Sequence, residues 1–193
     1  MPDVLDDGSY RMSEQLEVLK TVARRLEDAG IPYMVSCSTA MNFYAQPRMT
    51  RDIDIVIQVG ERDAARVAGL FSKDFFVDEQ DVKDAIRALG MFNVIHQDSV
   101  VKVDFIIRKG TPYRLMEFQR RRRVDLPGFQ VMVVAPEDLL LSKLDWAKES
   151  HSELQMKDAR NLVESVPDLD WDYVRYWADQ LKIAGLLKEI QPG

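Results

Sequence analysis

The pattern of apolar and polar residues changes between helical and strand periods along the first 135 residues. Apolar residues recur every three or four positions in residues 13–28, which predicts an amphipathic helix that Gly30-Ile31-Pro32 ends. Alternation in residues 51–59 predicts the strongest strand of the chain. Further strands are predicted at residues 33–36, 91–96, 100–107 and 129–134, and further helices at residues 39–45, 61–72, 81–89 and 113–122.

Beyond residue 135 the strand pattern disappears. Helices are predicted at residues 137–149, 154–165, 171–180 and 181–190. Strands interleaved with helices and then helices alone predict an α/β (α+β) fold, with a small mixed sheet flanked by helices. The expected organisation is an α/β core in residues 1–135 and a helical C-terminal region, residues 136–193, packed on it.

Two aspartates interrupt the strongest predicted strand. Side chains alternate in a strand, so Asp52 and Asp54 share one face, about 6.5–7 Å apart along the backbone, while the isoleucines between them supply the core. Ionised carboxylates are rarely buried unless a cation or partner neutralises them. The alternative is an exposed sheet face, with Arg48 and Arg51 beside the two carboxylates.

A third aspartate lies in the predicted strand at residues 100–107. Its apolar face leaves Lys102 and Asp104 on the opposite side, so Asp104 joins Asp52 and Asp54 if the two strands are neighbours. Three converging carboxylates repel one another unless a cation neutralises them or one of them is protonated. Oxygen-only ligands select Mg²⁺ or Mn²⁺ over zinc, and such ions support phosphoryl transfer.

Composition and charge narrow the class of protein. The 193 residues are 46% hydrophobic and 30% charged, which is typical of a soluble globular chain, and no apolar run reaches the length of a membrane span. The single cysteine and the absence of a secretory signal favour a cytoplasmic location. A net charge of −6 disfavours a generally basic nucleic-acid surface. The block of arginines at residues 120–123 either tracks an RNA backbone or forms a solvated helix end.

The region around the acidic strand resembles the nucleotidyltransferases of the DNA polymerase β superfamily. The family has a Gly-Ser or Gly-Gly pair at a helix start, followed by an acid–apolar–acid–apolar motif. Here Cys37-Ser38 occupies the pair, thirteen residues intervene, and Asp52-Ile53-Asp54-Ile55 follow. The flanks, including Pro47-Arg48-Met49-Thr50-Arg51, resemble the stand-alone bacterial branch, which includes toxins of abortive-infection and toxin–antitoxin systems. The similarity extends to Asp104, to the helix that carries Lys143, and to Lys157-Asp158-Ala159-Arg160.

This resemblance implies a nucleotidyltransferase fold and a role for each matching residue. Asp52, Asp54 and Asp104 would be the catalytic residues and the ligands of Mg²⁺ or Mn²⁺. Cys37, Ser38, Arg51 and Lys143 would bind the nucleotide. The implied reaction is transfer of a nucleoside monophosphate from an NTP to a hydroxyl of a tRNA, a protein or a small molecule, with release of pyrophosphate. A cognate toxin–antitoxin partner is also implied.

Three positions keep a second interpretation. Lys143 is either a phosphate ligand or a solvated lysine, and Arg51 contacts either phosphate or a carboxylate. Cys37 stands where the family most often has glycine, and its Cβ and thiol crowd a bound phosphate. The alternatives are therefore a degenerate nucleotide-binding protein without turnover, or a toxin–antitoxin component that acts through protein contacts of its C-terminal helices. A reactive thiol at Cys37 is disfavoured against a packing role.

The aromatic residues of the C-terminal half are expected to pack the helices together. Trp146 recurs with Leu139 and Lys143 at helical spacing, which favours the core over the border of a nucleotide site. The cluster Trp171, Tyr173, Tyr176 and Trp177 is expected either in the core or on a partner surface.

Overall fold

A mixed sheet of seven strands runs through the part of the chain that the computed structural model describes, which is residues 7–45 and 52–191. For residues 7–13 only the backbone is described. The helices are α1 (Asp7–Asp28), α2 (Cys37–Met41), α3 (Ala64–Phe71), α4 (Glu79–Ala88), α5 (Pro112–Gln119), α6 (Pro136–Ser150), α7 (Glu153–Ser165), α8 (Trp171–Gln180) and α9 (Ala184–Lys188). The strands are β1 (Tyr33–Val35), β2 (Asp52–Ile57), β3 (Phe75–Phe76), β4 (Met91–His96), β5 (Lys102–Ile107), β6 (Arg122–Leu126) and β7 (Phe129–Val133).

The order of the strands places the two acidic strands side by side at the centre of the sheet. The order is β3-β4-β5-β2-β1-β7-β6. β2 lies parallel to β5 and antiparallel to β1, and β1 lies parallel to β7. The α/β class and the mixed sheet flanked by helices are therefore confirmed.

The apolar face of each acidic strand belongs to the core. On β2 the side chains of Ile53, Ile55 and Ile57 are fully buried, and β5 contributes Val103 and Phe105 in the same way. The opposite face of β2 is half-buried, so each strand separates core from site by simple alternation. Burial of this apolar face holds the strand register, because a one-residue slip would move the aspartates into the core.

The helical C-terminal half begins with α6, whose apolar residues are buried. Pro136 occupies the first turn of α6, where its missing N–H is not needed. The side chains of Leu139, Leu140, Leu141 and Leu144 are fully buried and belong to the same core cluster as the strands. The division into two parts at residue 135 stays a prediction. None of the helices within the described residues is long and apolar enough to cross a membrane.

The predicted helix at residues 113–122 was wrong at its C-terminal end. The helix α5 ends at Gln119, and Arg122 and Arg123 begin strand β6. Strands β6 and β7 form a hairpin around Pro127-Gly128, where Gly128 has φ +80° and Pro127 precedes it, as in a type II turn. Strand β3 was also not predicted. The motif Pro47-Arg48-Met49-Thr50-Arg51, which includes the predicted nucleotide ligand Arg51, lies outside the described residues.

Candidate active site

The register of β2 and β5 brings the aspartates together. Asp54 pairs with Asp104 across the two parallel strands, and Asp52 pairs with Lys102. All four side chains project from the same face, because they stand at alternate positions of adjacent strands. The sequence motif and the third aspartate therefore form one polar cluster on the sheet.

Lys102 supplies a cation inside this cluster. Its Nζ lies 3.2 Å from Asp52 Oδ2 and 3.0 Å from Asp104 Oδ2. Lys102 was expected on this face, but no function was predicted for it, because no motif distinguishes it. Its position shows that two of the three carboxylates already share an ammonium group.

Lys102 does not pair with the carboxylate of Asp54 or with the second oxygen of Asp104. Asp104 is buried, and its Oδ1 has no hydrogen-bond partner among the described residues. Burial raises the pKa of Asp54 to about 6, and the charges of Asp104 and Asp52 add to this shift, while Lys143 and Lys102 oppose it. A buried acceptor without a partner beside a carboxylate of raised pKa is a suitable position for a cation.

The described residues do not form a preorganised metal centre. Within them, no group of three or more His, Cys, Asp or Glu side chains is arranged to hold a metal ion. Lys102 explains this locally, because it lies against Asp52 and Asp104. The donor set that fits an ion best is therefore Asp54 with the open oxygen of Asp104, and both are hard oxygen ligands suited to Mg²⁺ or Mn²⁺.

Ser36 and helix α2 make hydrogen bonds to backbone atoms of the acidic strand β2. The backbone N–H of Ser36 donates to the carbonyl of Asp54 at 3.0 Å. The hydroxyl of Thr39 donates to the carbonyl of Asp52 at 3.2 Å and accepts from the N–H of Asp54 at 3.3 Å. Thr39 thus fixes both aspartates relative to α2. This role of Thr39 could not be recognised from the sequence, because a single threonine in a helix has no distinguishing pattern.

Cys37 begins α2 in a backbone conformation that favours glycine. Its φ is +50°, in the left-handed region, where a Cβ is sterically unfavourable. Burial raises the pKa of the Cys37 thiol to about 12, and the neighbouring charge of Asp54 adds to the effect. The thiol is therefore neutral, which agrees with the packing role and not with a reactive thiolate.

Lys143 is buried against an aspartate of the next helix. Its Nζ lies 2.7 Å from Asp158 Oδ2, and both side chains are almost completely buried. The interpretation of Lys143 as a solvated lysine was therefore wrong. This contact gives a structural role to the motif Lys157-Asp158-Ala159-Arg160, because its Asp158 is a counter-ion of Lys143.

A cavity of about 340 Å³ opens beside Asp54. It contains the predicted residues Cys37, Ser38 and Lys143, whereas Asp52 and Asp104 adjoin it only through Asp54. The remaining lining residues come from the strand ends and from α5, α6 and α7: Ser36, Val56, Ile106, Ile107, Arg108, Lys109, Arg114, Glu117, Leu139, Ser142, Asp145, Trp146, Glu149 and Gln155.

Two features of this cavity were not predicted. Trp146 was expected in the core, but its side chain is 56% exposed and lines the cavity. Arg114 joins α5 to α6 by donating to the hydroxyl of Ser142 at 2.7 Å. Within α5 it also donates to Glu117 at 3.0 Å. Neither could be recognised from the sequence, because helical spacing does not specify which neighbour covers a helix face.

Two arginines of the block at residues 120–123 pair with buried carboxylates of α6. Arg120 donates to Glu137 and Asp138 at 3.0 Å each, and Arg122 donates to Glu137 at 3.2 Å. Arg123 donates to the exposed side chain of Gln130. The interpretation of this block as a helix end was wrong, because Arg122 and Arg123 begin strand β6, although both side chains are exposed to solvent. An RNA-tracking surface is also disfavoured, because Arg120 and Arg122 already neutralise buried carboxylates.

Comparison with known proteins assigns the fold. No protein-family model matches the sequence, and no curated protein matches it either. An antigenic nucleotidyltransferase-like protein from Paracoccidioides brasiliensis is similar in structure, with a TM-score of 0.57, 18% identity and 92% coverage of both chains. A candidate nucleotidyltransferase from Thermotoga maritima has a TM-score of 0.53 and 19% identity, over 75% of this chain and 92% of that one.

A third solved structure is ANT(2")-Ia in complex with adenylyl-2"-tobramycin. It has a TM-score of 0.53 and 13% identity, over 88% of this chain and 97% of that one. These similarities extend over most of each chain. The protein therefore has a nucleotidyltransferase fold.

Proposed function

We propose that the protein transfers a nucleoside monophosphate from an NTP to a hydroxyl acceptor, releases pyrophosphate and requires Mg²⁺ or Mn²⁺. The observation that carries the proposal is the pairing of Asp54 with Asp104 on adjacent parallel strands, beside a cavity that contains Ser38 and Lys143. The nucleotidyltransferase fold supports the same reaction class.

A cation would be held by Asp54 and the unpartnered Oδ1 of Asp104, with Asp52 adjacent. When bound, a divalent ion would supply positive charge next to the transferred phosphate. Lys102 holds Asp52 and Asp104 in place and partly neutralises their charge.

The remaining steps belong to the chain's own residues. Ser38 and Lys143 bind the triphosphate in the cavity, and this binding brings the α-phosphate to Asp54. The acceptor oxygen forms a bond to the α-phosphorus, while the bond from that phosphorus to the oxygen bridging the α- and β-phosphates breaks. Pyrophosphate leaves with the electron pair, and the hydroxyl proton passes to Asp104.

The experiment uses purified protein, Mg²⁺ and α-³²P-labelled NTPs, with tRNA, protein and small hydroxylated molecules as acceptors. Small molecules are included because ANT(2")-Ia was solved with an adenylylated aminoglycoside. The double variant Asp52→Asn/Asp54→Asn is expected to lower label transfer at least 100-fold, since the cluster no longer holds a cation. Asp125→Asn, which changes an exposed strand aspartate, is the control. Full activity of the double variant would contradict the mechanism.

The alternative of binding without turnover rests on Cys37. Cys37 lines the cavity and has a backbone conformation that favours glycine. Binding of a non-hydrolysable NTP with Mg²⁺, without transfer to any acceptor, would support this alternative. Transfer by Cys37→Gly alone would then identify the cysteine as the cause. A toxin–antitoxin partner and a cytoplasmic location remain predictions from the sequence.

A further inference from the structure

We propose that the outer end of the cavity is the nucleobase site, where the indole of Trp146 stacks on the base and Glu149 and Gln155 contact its edge. The inference rests on the proposed function. It assigns the phosphates of the nucleotide to the inner end of the cavity and the base to the outer end. It also restricts the base to one that carries an amino group.

Helix α6 sets the order of groups along the cavity. Lys143, Trp146 and Glu149 recur every three residues and line the same cavity. At a rise of about 1.5 Å per residue, Trp146 lies ~4.5 Å and Glu149 ~9 Å beyond Lys143 along the helix axis. Lys143 marks the inner end, because its charge acts on both Asp54 and Cys37. This order puts the phosphates of a nucleotide at Lys143, at the inner end, and its base at Trp146 and Glu149, at the outer end.

Trp146 is exposed where a ligand would cover it. Its side chain is 56% exposed, although a tryptophan has much apolar area to bury. The other two tryptophans, Trp171 and Trp177, are partly buried against the core and do not line the cavity. Stacking on an aromatic side chain is tolerant of base identity, and its loss weakens binding about 5- to 150-fold.

The charges near Trp146 indicate which bases fit. Arg114 is paired with Glu117 and Asp145, and Lys148 is also paired with Asp145. Within the described residues, no hydrogen bond or ion pair engages the side chain of Glu149. A carboxylate accepts hydrogen bonds from exocyclic amino groups, which adenine, cytosine and guanine carry and uracil lacks. Glu149 therefore favours an amino-bearing base, and UTP is expected to bind most weakly.

The test is calorimetry with non-hydrolysable ATP, CTP, GTP and UTP analogues and with inorganic tripolyphosphate, all with Mg²⁺. Trp146→Leu is expected to bind the preferred analogue 5- to 150-fold more weakly than the wild type, whereas tripolyphosphate, which has no base, binds equally to both. Tyr176→Leu is the matched control, because Tyr176 is 59% exposed but does not line the cavity. Glu149→Gln is expected to reduce the preference over UTP.

A second measurement uses Trp171→Phe/Trp177→Phe, which retains only Trp146. Its fluorescence is expected to change with the nucleotide analogue and not with tripolyphosphate. Wild-type nucleotide affinity in Trp146→Leu would overturn the inference and leave the proposed function intact. A raised acceptor KM in that variant, with unchanged nucleotide affinity, would assign the outer end to the acceptor and also overturn the inference. Failure of the wild type to bind any analogue or tripolyphosphate would overturn the proposed function itself.

Discussion

The side chain of Asp54 is held close to other carboxylates at the site, which disfavours its ionised form. Its carboxyl is half-buried, faces Asp104 across the strand pair and stands two residues from Asp52. These surroundings raise the pKa of Asp54 to about 6, above its ordinary value of 3.8. The folded chain therefore holds this proton more tightly than the unfolded chain, so the contribution of Asp54 to stability falls as pH rises from about 4 to about 6.

Asp54→Asn is therefore expected to stabilise the protein at neutral pH. The variant removes the ionised form, so the free energy of unfolding at pH 7.5 should rise by about 1–3 kcal/mol. At pH 3 the two proteins should differ little, because the carboxyl of Asp54 is then largely protonated in both the folded and the unfolded chain. Urea denaturation at the two pH values measures the difference. A variant less stable than the wild type at pH 7.5 would contradict this account of the site.

The aspartates could be predicted from the sequence, but their closest neighbours could not. Strict alternation fixes which residues share a strand face, so the pattern placed Asp52 with Asp54, whereas Asp104 was expected to join them only if the two strands are neighbours. The contacts of Lys102 and Thr39 depend on strand order and on how α2 crosses β2. The exposure of Trp146 depends on which element covers α6. No local sequence pattern indicates these contacts or this exposure.

At the scale of elements, the buried pair Lys143–Asp158 joins α6 to α7 at the inner end of the cavity. Both charges are removed from water, and at 2.7 Å each contributes to the compensation of the other. The pair therefore has a structural role in addition to the phosphate contact proposed for Lys143.

Two variants separate these roles. Lys143→Met leaves Asp158 buried without its counter-ion and is expected to lower the free energy of unfolding by about 3–5 kcal/mol. Lys143→Met/Asp158→Asn removes both charges and should recover most of that loss, as measured by urea denaturation. Neither variant should bind tripolyphosphate with wild-type affinity. Normal affinity in the double variant would show that Lys143 is only a structural residue.

The elements themselves differ in how far the sequence predicts them. Long periodic segments such as α1 and α6 were predicted within a few residues, apart from the unpredicted first turns of α1. The hairpin of β6 and β7 was half missed, because its first strand begins with arginines that continue the helical pattern of α5. The dipeptide Pro127-Gly128 between two segments is a typical turn sequence, and it could have indicated the hairpin.

Across the whole molecule, a network of buried charges connects the α5–β6 segment to the C-terminal helices. Arg120 pairs with Glu137 and Asp138 of α6, and its guanidinium lies 3.8 Å from the ring centre of Tyr173 on α8. The hydroxyl of Tyr173 donates to Asp138 at 2.6 Å. This network fixes α8 against α6, and α6 carries much of the cavity lining.

Arg120→Ala is therefore expected to destabilise the whole molecule. Glu137 and Asp138 would remain buried with part of their charge unpaired, which should lower the free energy of unfolding by about 3–5 kcal/mol. Arg123→Ala, the matched exposed arginine, should change it by less than about 0.5 kcal/mol. Denaturant titration compares the two. Weaker tRNA binding by Arg123→Ala at low salt would contradict the structural interpretation of the block and restore the RNA surface.

The neutral thiol of Cys37 has a consequence for how the protein responds to oxidants. Peroxides and alkylating reagents react with thiolates, and a thiol with a pKa near 12 provides almost none at cellular pH. Cys37 is also the only cysteine of the chain. The thiol of Cys37 should therefore react slowly with peroxides, so oxidative stress should leave Cys37 unmodified. A cysteine introduced at an exposed position would then be the preferred target of a thiol-reactive label.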